Sequence, residues 1–197
     1  LKDIPYVRHE GASRPEKPYR RYAITESGVS PRLLPGIDGE LVVADSDEHT
    51  EDGHITEDLE VRRRMVEKRL RKLDTMKADV VAPQYGGDRD PEILMVSWGS
   101  HMGAVIEARE TLRRRGVRAG SLHFSQVWPL VPELVTPHLN AAAKLVMVEG
   151  NATGQFAGII RQETGVAITN RVLRYDGLPI TPHYILEALK AQGLTRD

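Results

Sequence analysis

From Glu92 onward the chain alternates between apolar runs and amphipathic stretches. "EILMVSWGS" (92–100) is a short apolar run that ends in small residues. "HMGAVIEARETLRRRG" (101–116) has a helical period and stops at Gly116, a good C-terminal breaker. "VRAGSLHFSQV" (117–127) reads as a second strand, and "PLVPELVTPHLNAA" (129–142) as a short helical stretch broken by prolines. "KLVMVEG" (144–150) is a third strand, and "TGQFAGIIRQETG" (153–165) a helix closed by glycine. "AITNRVLRYDG" (167–177) is a fourth strand, and "TPHYILEALKAQG" (181–193) a last helix with Pro182 in its first turn. Three of these strands are continuous Val/Ile/Leu/Met runs, as expected when both faces of a sheet are covered. The expected fold class is α/β, a small doubly wound and mostly parallel sheet with right-handed connections.

Residues 1–90 have a different character. "YVRHEGASRPEKPYRRY" (6–22) and "GVSPRLLPGIDGE" (28–40) are rich in Pro, Gly and charge and hold no sustained period. So long an irregular stretch is expected to lie as an arm across another surface, or to be partly disordered. One helix breaks it. In "EDLEVRRRMVEKRLRKLDTM" (57–76), Leu59, Val61, Met65, Val66, Leu70, Leu73 and Met76 recur near helical spacing, and Asp58 or Thr56 can cap the start. Its narrow apolar stripe is expected to pack on one surface while the charges face water. "VVAPQYGGDRDP" (80–91) reads as a linker. The expected division is therefore 1–90 and 91–197.

Composition narrows the function. At 197 residues, one good-sized domain or one domain with an appendage fits. A net charge of −1 gives no sign of a nucleic-acid partner or a charged membrane surface. The absence of cysteine excludes disulfides, a catalytic thiol and a cysteine-ligated cluster in this sequence, and suits a reducing cytoplasm. No apolar run approaches the roughly 20 residues of a membrane span, and no signal peptide opens the sequence. A first residue of Leu1 is expected of a piece of a longer polypeptide or a processed chain.

Two turns fall where an open parallel sheet binds ligands, beyond the carboxyl ends of its strands: "SWGSHMG" (97–103) and "EGNATGQ" (149–155). Each sets glycine and small hydroxyl residues before a helix N-terminus, which favours an anion. In the second, Gly150, Asn151, Thr153, Gly154 and Gln155 are the candidate anion or cofactor turn, through main-chain N–H groups and the Thr153 hydroxyl. The competing reading is that its glycines only permit a tight strand–helix junction. Neither turn matches GxGxxG or carries a Walker lysine. "GSHMG" (99–103) lacks the nucleophile-elbow spacing, so Ser100 is better read as a helix cap. "ADSDEHTEDGHITED" (44–58) gathers Asp45, Asp47, Glu48, His49, Glu51, Asp52 and His54, yet it fails the EF-hand and HExxH patterns. It reads as a solvated acidic loop opposite the basic run 62–72, and no metal ligand is assigned.

The stretch 20–74, with "DEHTEDGHITED" inside it, followed by "VEGNATGQFAGIIRQETG" (148–165), resembles the C-terminal part of the α subunit of 2-oxoacid:ferredoxin oxidoreductases, the 2-oxoglutarate type most of all. The similarity runs along nearly the whole chain in the same order. It implies a thiamine-diphosphate-dependent complex that decarboxylates a 2-oxoacid, passes electrons through iron–sulfur clusters to ferredoxin and releases an acyl-CoA. It implies that residues 91–197 are a domain like the C-terminal domain of transketolases. Residues 1–90 would then be the end of a pyrimidine-binding domain and the arm after it. It further implies a β subunit as partner, holding the diphosphate, the Mg²⁺ and the cluster ligands, and no cofactor bound by this chain alone. The glutamate that activates the aminopyrimidine would lie ahead of this sequence, so no catalytic residue is carried over. The other readings are a free-standing Rossmann-like module for a nucleotide or CoA, and an interaction domain without a ligand.

Overall fold

The computed structural model describes residues 17–33 and 39–195. Parts of the expected arm, 1–16 and 34–38, lie outside the described residues. The chain divides between Ala78 and Asp79 into two compact units.

In the first unit, the described residues ahead of Leu59 are irregular apart from a single bridge between His49 and Ile55. Helix α1 (Leu59–Lys77) begins where Asp58 Oδ1 accepts the N–H groups of Glu60 at 2.8 Å and Val61 at 2.9 Å. That satisfies two donors which every helix start leaves free. The expected packing of α1 is corrected, because the face it buries carries Met65 and Lys68, while Leu59, Val66 and Leu70 are exposed. The irregular segment attaches to this face through polar groups. Lys68 Nζ donates to the Tyr22 carbonyl at 3.0 Å, and Thr75 Oγ1 to the Ser27 carbonyl at 2.7 Å. Burial pushes the Lys68 ammonium below its usual pKa, with Lys72, Arg21 and Arg69 adding repulsion.

The second unit is built on one five-stranded sheet. Its strands are β1 (Gln84–Gly87), β2 (Ile93–Trp98), β3 (Ala119–Phe124), β4 (Lys144–Glu149) and β5 (Asn170–Leu173), in spatial order β1-β3-β2-β4-β5. Strands β3, β2, β4 and β5 are parallel; β1 is an antiparallel edge. The α/β expectation holds. The linker reading of 80–91 does not, because β1 lies within it, pairing Gln84 with His123 and Gly87 with Gly120.

Period-2 alternation divides the apolar strands between two cores. Ile93, Met95, Val146, Val148 and Val172 meet helices α2 (Met102–Arg114) and α5 (Pro182–Ala191). Leu94, Val96, Leu122 and Met147 meet helices α3 (Pro132–Ala141) and α4 (Gln155–Thr164) on the other face. Helix α3 runs through its inner Pro137, where the sequence suggested a break. Helix α5 starts as its sequence implies, with Thr181 Oγ1 accepting the Tyr184 N–H at 3.2 Å.

Candidate functional site

The connection from β2 to β3 goes one way across the sheet, and the one from β3 to β4 returns over β2. Strand order thus reverses between β2 and β4, the position where open α/β sheets form a crevice. A cleft of about 730 Å³ lies there, lined by Ser100, His101, Gly150, Arg174, Tyr175 and Leu178 among others. Its residues come from the loops after β2, β4 and β5.

The floor is fixed by His101 and Gly150. His101 Nδ1 donates to the Trp98 carbonyl at 2.9 Å, which leaves Nε2 facing Gly150. A Cβ on residue 150 would stand 3.1 Å from that Nε2, tighter than side chains normally pack, so a larger residue there would press on the His101 ring. Ser100 does not cap a helix, contrary to expectation. Residues Gly99–His101 form a single 3₁₀ turn, and α2 begins at Met102 without a side-chain cap. Arg174 is fully engaged in shaping the loop after β5. It bonds Asp176 Oδ1 at 2.9 Å and the Pro179 carbonyl at 2.7 Å, and lies 4.7 Å over the Tyr184 ring. This guanidinium holds the Asp176 carboxyl below the usual carboxylate range.

Behind the cleft, the turn Gly150–Gln155 is closed by side chains of the protein itself. Asn151 Oδ1 accepts the N–H groups of Thr153 (3.2 Å), Gly154 (2.7 Å) and Gln155 (3.3 Å). Glu149, fully buried at the end of β4, accepts the N–H groups of Phe156 at 3.0 Å and Ala157 at 3.0 Å. Its carboxylate also receives Asn151 Nδ2 at 2.7 Å and Trp98 Nε1 at 3.3 Å. The chain enters α4 through Gly154 at φ +69°, a left-handed conformation that costs an L side chain about 1–2 kcal/mol. All five residues of the expected turn are thus together, and the donors at the start of α4 point at protein oxygens.

Two further polar pairs lie in the same unit. Ser97 Oγ and His123 Nδ1 are 2.9 Å apart between β2 and β3, both buried. Burial first, and then the neighbouring His101, push the His123 imidazole below its usual pKa. Ser97 is fully buried, so its hydroxyl cannot meet a substrate, and the pair serves as a cross-strand hydrogen bond. Arg109 Nη1 donates to Ser121 Oγ at 2.8 Å. Neither these pairs nor the role of Glu149 was read from the sequence. The visible signal for Glu149 was a lone carboxylate ending an otherwise apolar strand just before a helix start.

The acidic loop distributes its charges locally. Glu48 accepts Arg69 Nη2 at 2.8 Å and Arg62 Nη1 at 3.3 Å, and the Arg69 hydrogen bond leads in lowering its pKa. Asp45 Oδ2 accepts the Ile55 N–H at 2.8 Å, and Glu51 Oε1 the Ile24 N–H at 2.7 Å. His54 pairs with Asp52 at 3.2 Å. Among the described residues, no three His, Asp or Glu side chains gather as metal ligands.

No family model matches the sequence. Among curated proteins, it is 32% identical over 190 residues to the 2-oxoacid:ferredoxin oxidoreductase 2 subunit alpha of Aeropyrum pernix, covering 95% of this chain and 29% of that protein. It is 26% identical over 130 residues to the 2-oxoglutarate synthase subunit KorA of Methanothermobacter marburgensis, covering 66% and 35%. Among solved structures, the 2-oxoglutarate:ferredoxin oxidoreductase of Magnetococcus marinus, determined with 2-oxoglutarate, coenzyme A and succinyl-CoA bound, superposes with a TM-score of 0.71. That match is 25% identical and covers 95% of this chain and 32% of the other. The second unit is a doubly wound α/β domain, and the first is an irregular segment with one long helix. The chain belongs to the 2-oxoacid:ferredoxin oxidoreductase α-subunit family. It spans less than a third of the length of the A. pernix relative.

Proposed function

We propose that this chain is the C-terminal part of the α subunit of a thiamine-diphosphate-dependent 2-oxoacid:ferredoxin oxidoreductase, where its own role is structural and supports subunit contacts. The whole enzyme would decarboxylate a 2-oxoacid, transfer the acyl group to CoA and pass the electrons to ferredoxin. The observation that carries the structural role is the occupancy of the α4 N-terminus. Five consecutive N–H groups, Thr153 to Ala157, donate to Asn151 and Glu149. A phosphate would have to displace a buried carboxylate there. We therefore read Gly150, Asn151, Thr153, Gly154 and Gln155 as a self-capped junction, in preference to a cofactor turn.

The KorA relative and the Magnetococcus enzyme support a 2-oxoglutarate-type substrate. Thiamine diphosphate, Mg²⁺ and an iron–sulfur cluster belong, in this reading, to the β subunit, and ferredoxin and CoA act at the level of the complex. In this reading the second unit, from Asp79, corresponds to the transketolase C-terminal-like domain, and the first, up to Ala78, to the end of the pyrimidine-binding domain and its arm. A cytoplasmic location accords with a sequence free of cysteine. Among the described residues, no helix is long and apolar enough to cross a membrane.

The test is an assay of the isolated chain with 2-oxoglutarate or pyruvate, thiamine diphosphate, Mg²⁺, CoA and a viologen dye. No turnover above the enzyme-free blank is expected, and turnover by the chain alone would overturn the proposal. Calorimetric titration with CoA examines the free-standing nucleotide-module alternative, which requires saturable binding at micromolar concentration.

A further inference from the structure

In the crevice where strand order reverses, one acceptor is left open. His101 Nδ1 bonds the Trp98 carbonyl at 2.9 Å, and a carbonyl only accepts, so Nδ1 carries the ring proton. Nε2 of the neutral imidazole is then an acceptor, without a hydrogen-bond partner among the described residues. His101 lines the cleft of about 730 Å³, a size usual for small-molecule sites. Gly150 keeps the acceptor open. A Cβ there would stand 3.1 Å from Nε2 and cover it. Gly150 is not among the glycines of positive φ, so the backbone itself does not call for glycine at this position.

The loop after β5 adds Tyr175 and Leu178 to the lining, and they are 72% and 61% exposed. The loop is braced from within. Arg174 holds Asp176 and the Pro179 carbonyl, and Asp176 Oδ1 accepts the Leu178 N–H at 3.0 Å. An aromatic and an aliphatic side chain thus stand in solvent on a loop already set, which spares a ligand the cost of ordering it. Charge narrows the ligand further. Asp176 balances Arg174, and the N–H groups at the start of α4 are taken by Asn151 and Glu149. An anion therefore finds no spare cation among the described residues of the lining.

We propose that this cleft binds a purine nucleoside, with its base against Tyr175 and one of its N–H or O–H groups donating to His101 Nε2. Such a ligand unites a flat π-face, which aromatic side chains take by stacking, with a donor and no charge. The same moiety is recognised whether it arrives free or carries a phosphate that projects into solvent. The site adds to the structural role of the chain and does not depend on it.

Calorimetry of the chain with adenosine, AMP and ribose tests this. Adenosine and AMP are expected to bind saturably at submillimolar concentration, with Kd values within about threefold of each other, and ribose not to bind. Gly150→Ala sets a methyl group over Nε2 and leaves the Trp98 bond in place; Tyr175→Ala removes the ring. Each should weaken adenosine binding roughly tenfold. Lys144→Gln, at the opposite end of β4, should bind as the parent does. Thermal melts establish that the variants are folded, and exposed Tyr175 gives a variant that stays folded even if Gly150→Ala does not. Absence of adenosine binding by the parent overturns the proposal, as does unchanged binding by either folded variant. An affinity for AMP more than roughly tenfold above that for adenosine identifies a phosphate site and overturns it too. None of these outcomes alters the family membership.

Discussion

Asn151 Nδ2 donates to Glu149 Oε2 at 2.7 Å, and through this bond two side chains act as one cap for α4. Asn151 takes three N–H groups of the turn and Glu149 takes the next two. The macrodipole of α4 thus meets a negative charge that the fold itself supplies.

Removing that charge exposes the arrangement. Glu149→Ala leaves the N–H groups of Phe156 and Ala157 and the Trp98 indole without a buried acceptor. Leaving buried donors of this kind unsatisfied costs about 1–3 kcal/mol each. Glu149→Gln keeps the shape but turns an amide NH₂ toward donors, so its cost is smaller, roughly 1–3 kcal/mol. Urea unfolding with tryptophan fluorescence measures both. Equal stability of Glu149→Ala and the parent would refute the cap.

Gly154→Val separates the two readings of the turn. Its φ of +69° strains any L residue, and a Cβ there would lie 3.0 Å from Arg171 Nη1. The expected loss is about 1–2 kcal/mol, the same with or without millimolar sulfate or phosphate. Thr153→Ala is expected to be nearly neutral under both conditions. Melting temperatures of the parent should not rise with either anion. A rise in the parent that Gly154→Val abolishes would restore the anion site.

The alternation of strands and helices was legible because both faces of the sheet are covered, which turns "ILMV" and "LVMV" into uninterrupted apolar runs. Strand β1 was not legible. Its "QYGG" carries two glycines and lies at the edge, so its existence depends on pairing with β3 and not on its own propensity. The helix at 59–77 was found from its period, but periodicity marks an apolar stripe without saying what covers it. Here Lys68 and Met65 face the protein, and Leu59 and Leu70 do not. In the turn, the residue types were visible in "EGNATGQ", but the direction of the hydrogen bonds was not. A Glu at a strand end looks solvated until the strand is seen to deliver it beneath a helix.

His123 gives the fold a pH dependence of predictable sign. Burial, and then the neighbouring His101, hold its folded pKa below the ordinary imidazole range, so the unfolded chain binds the proton more readily. Stability linked to this group is complete above the unfolded value and is lost as pH falls from there through the folded value. Urea midpoints of the parent and His123→Asn are compared at pH 7.5 and 5. The parent should lose more stability on acidification than the variant. Parallel losses would assign the acid sensitivity to other groups.

The attachment of the irregular segment to α1 is polar, and it should therefore be the first part of the unit to open. Lys68 donates to the Tyr22 carbonyl and to Ser30 Oγ, and Glu48 joins the acidic loop to Arg62 and Arg69. Hydrogen bonds of this kind contribute about 0.5–1.5 kcal/mol each, more when charged. Apolar burial beside them is small, so local opening needs little free energy. Amide exchange in residues 19–30 and 45–55 of the isolated chain should be much faster than in β2 and β4. Lys68→Met keeps the aliphatic stem and removes the donor. It should speed exchange at 19–30 and leave β2 and β4 unchanged, since they are held by the separate core of Leu94, Val96 and Met147. Glu48→Gln should act in the same way on 45–55, with a loss of about 1 kcal/mol or less because the arginines stay partly solvated. Protection of 19–30 equal to that of β4 in the isolated chain would show that the segment is held by more than these polar contacts.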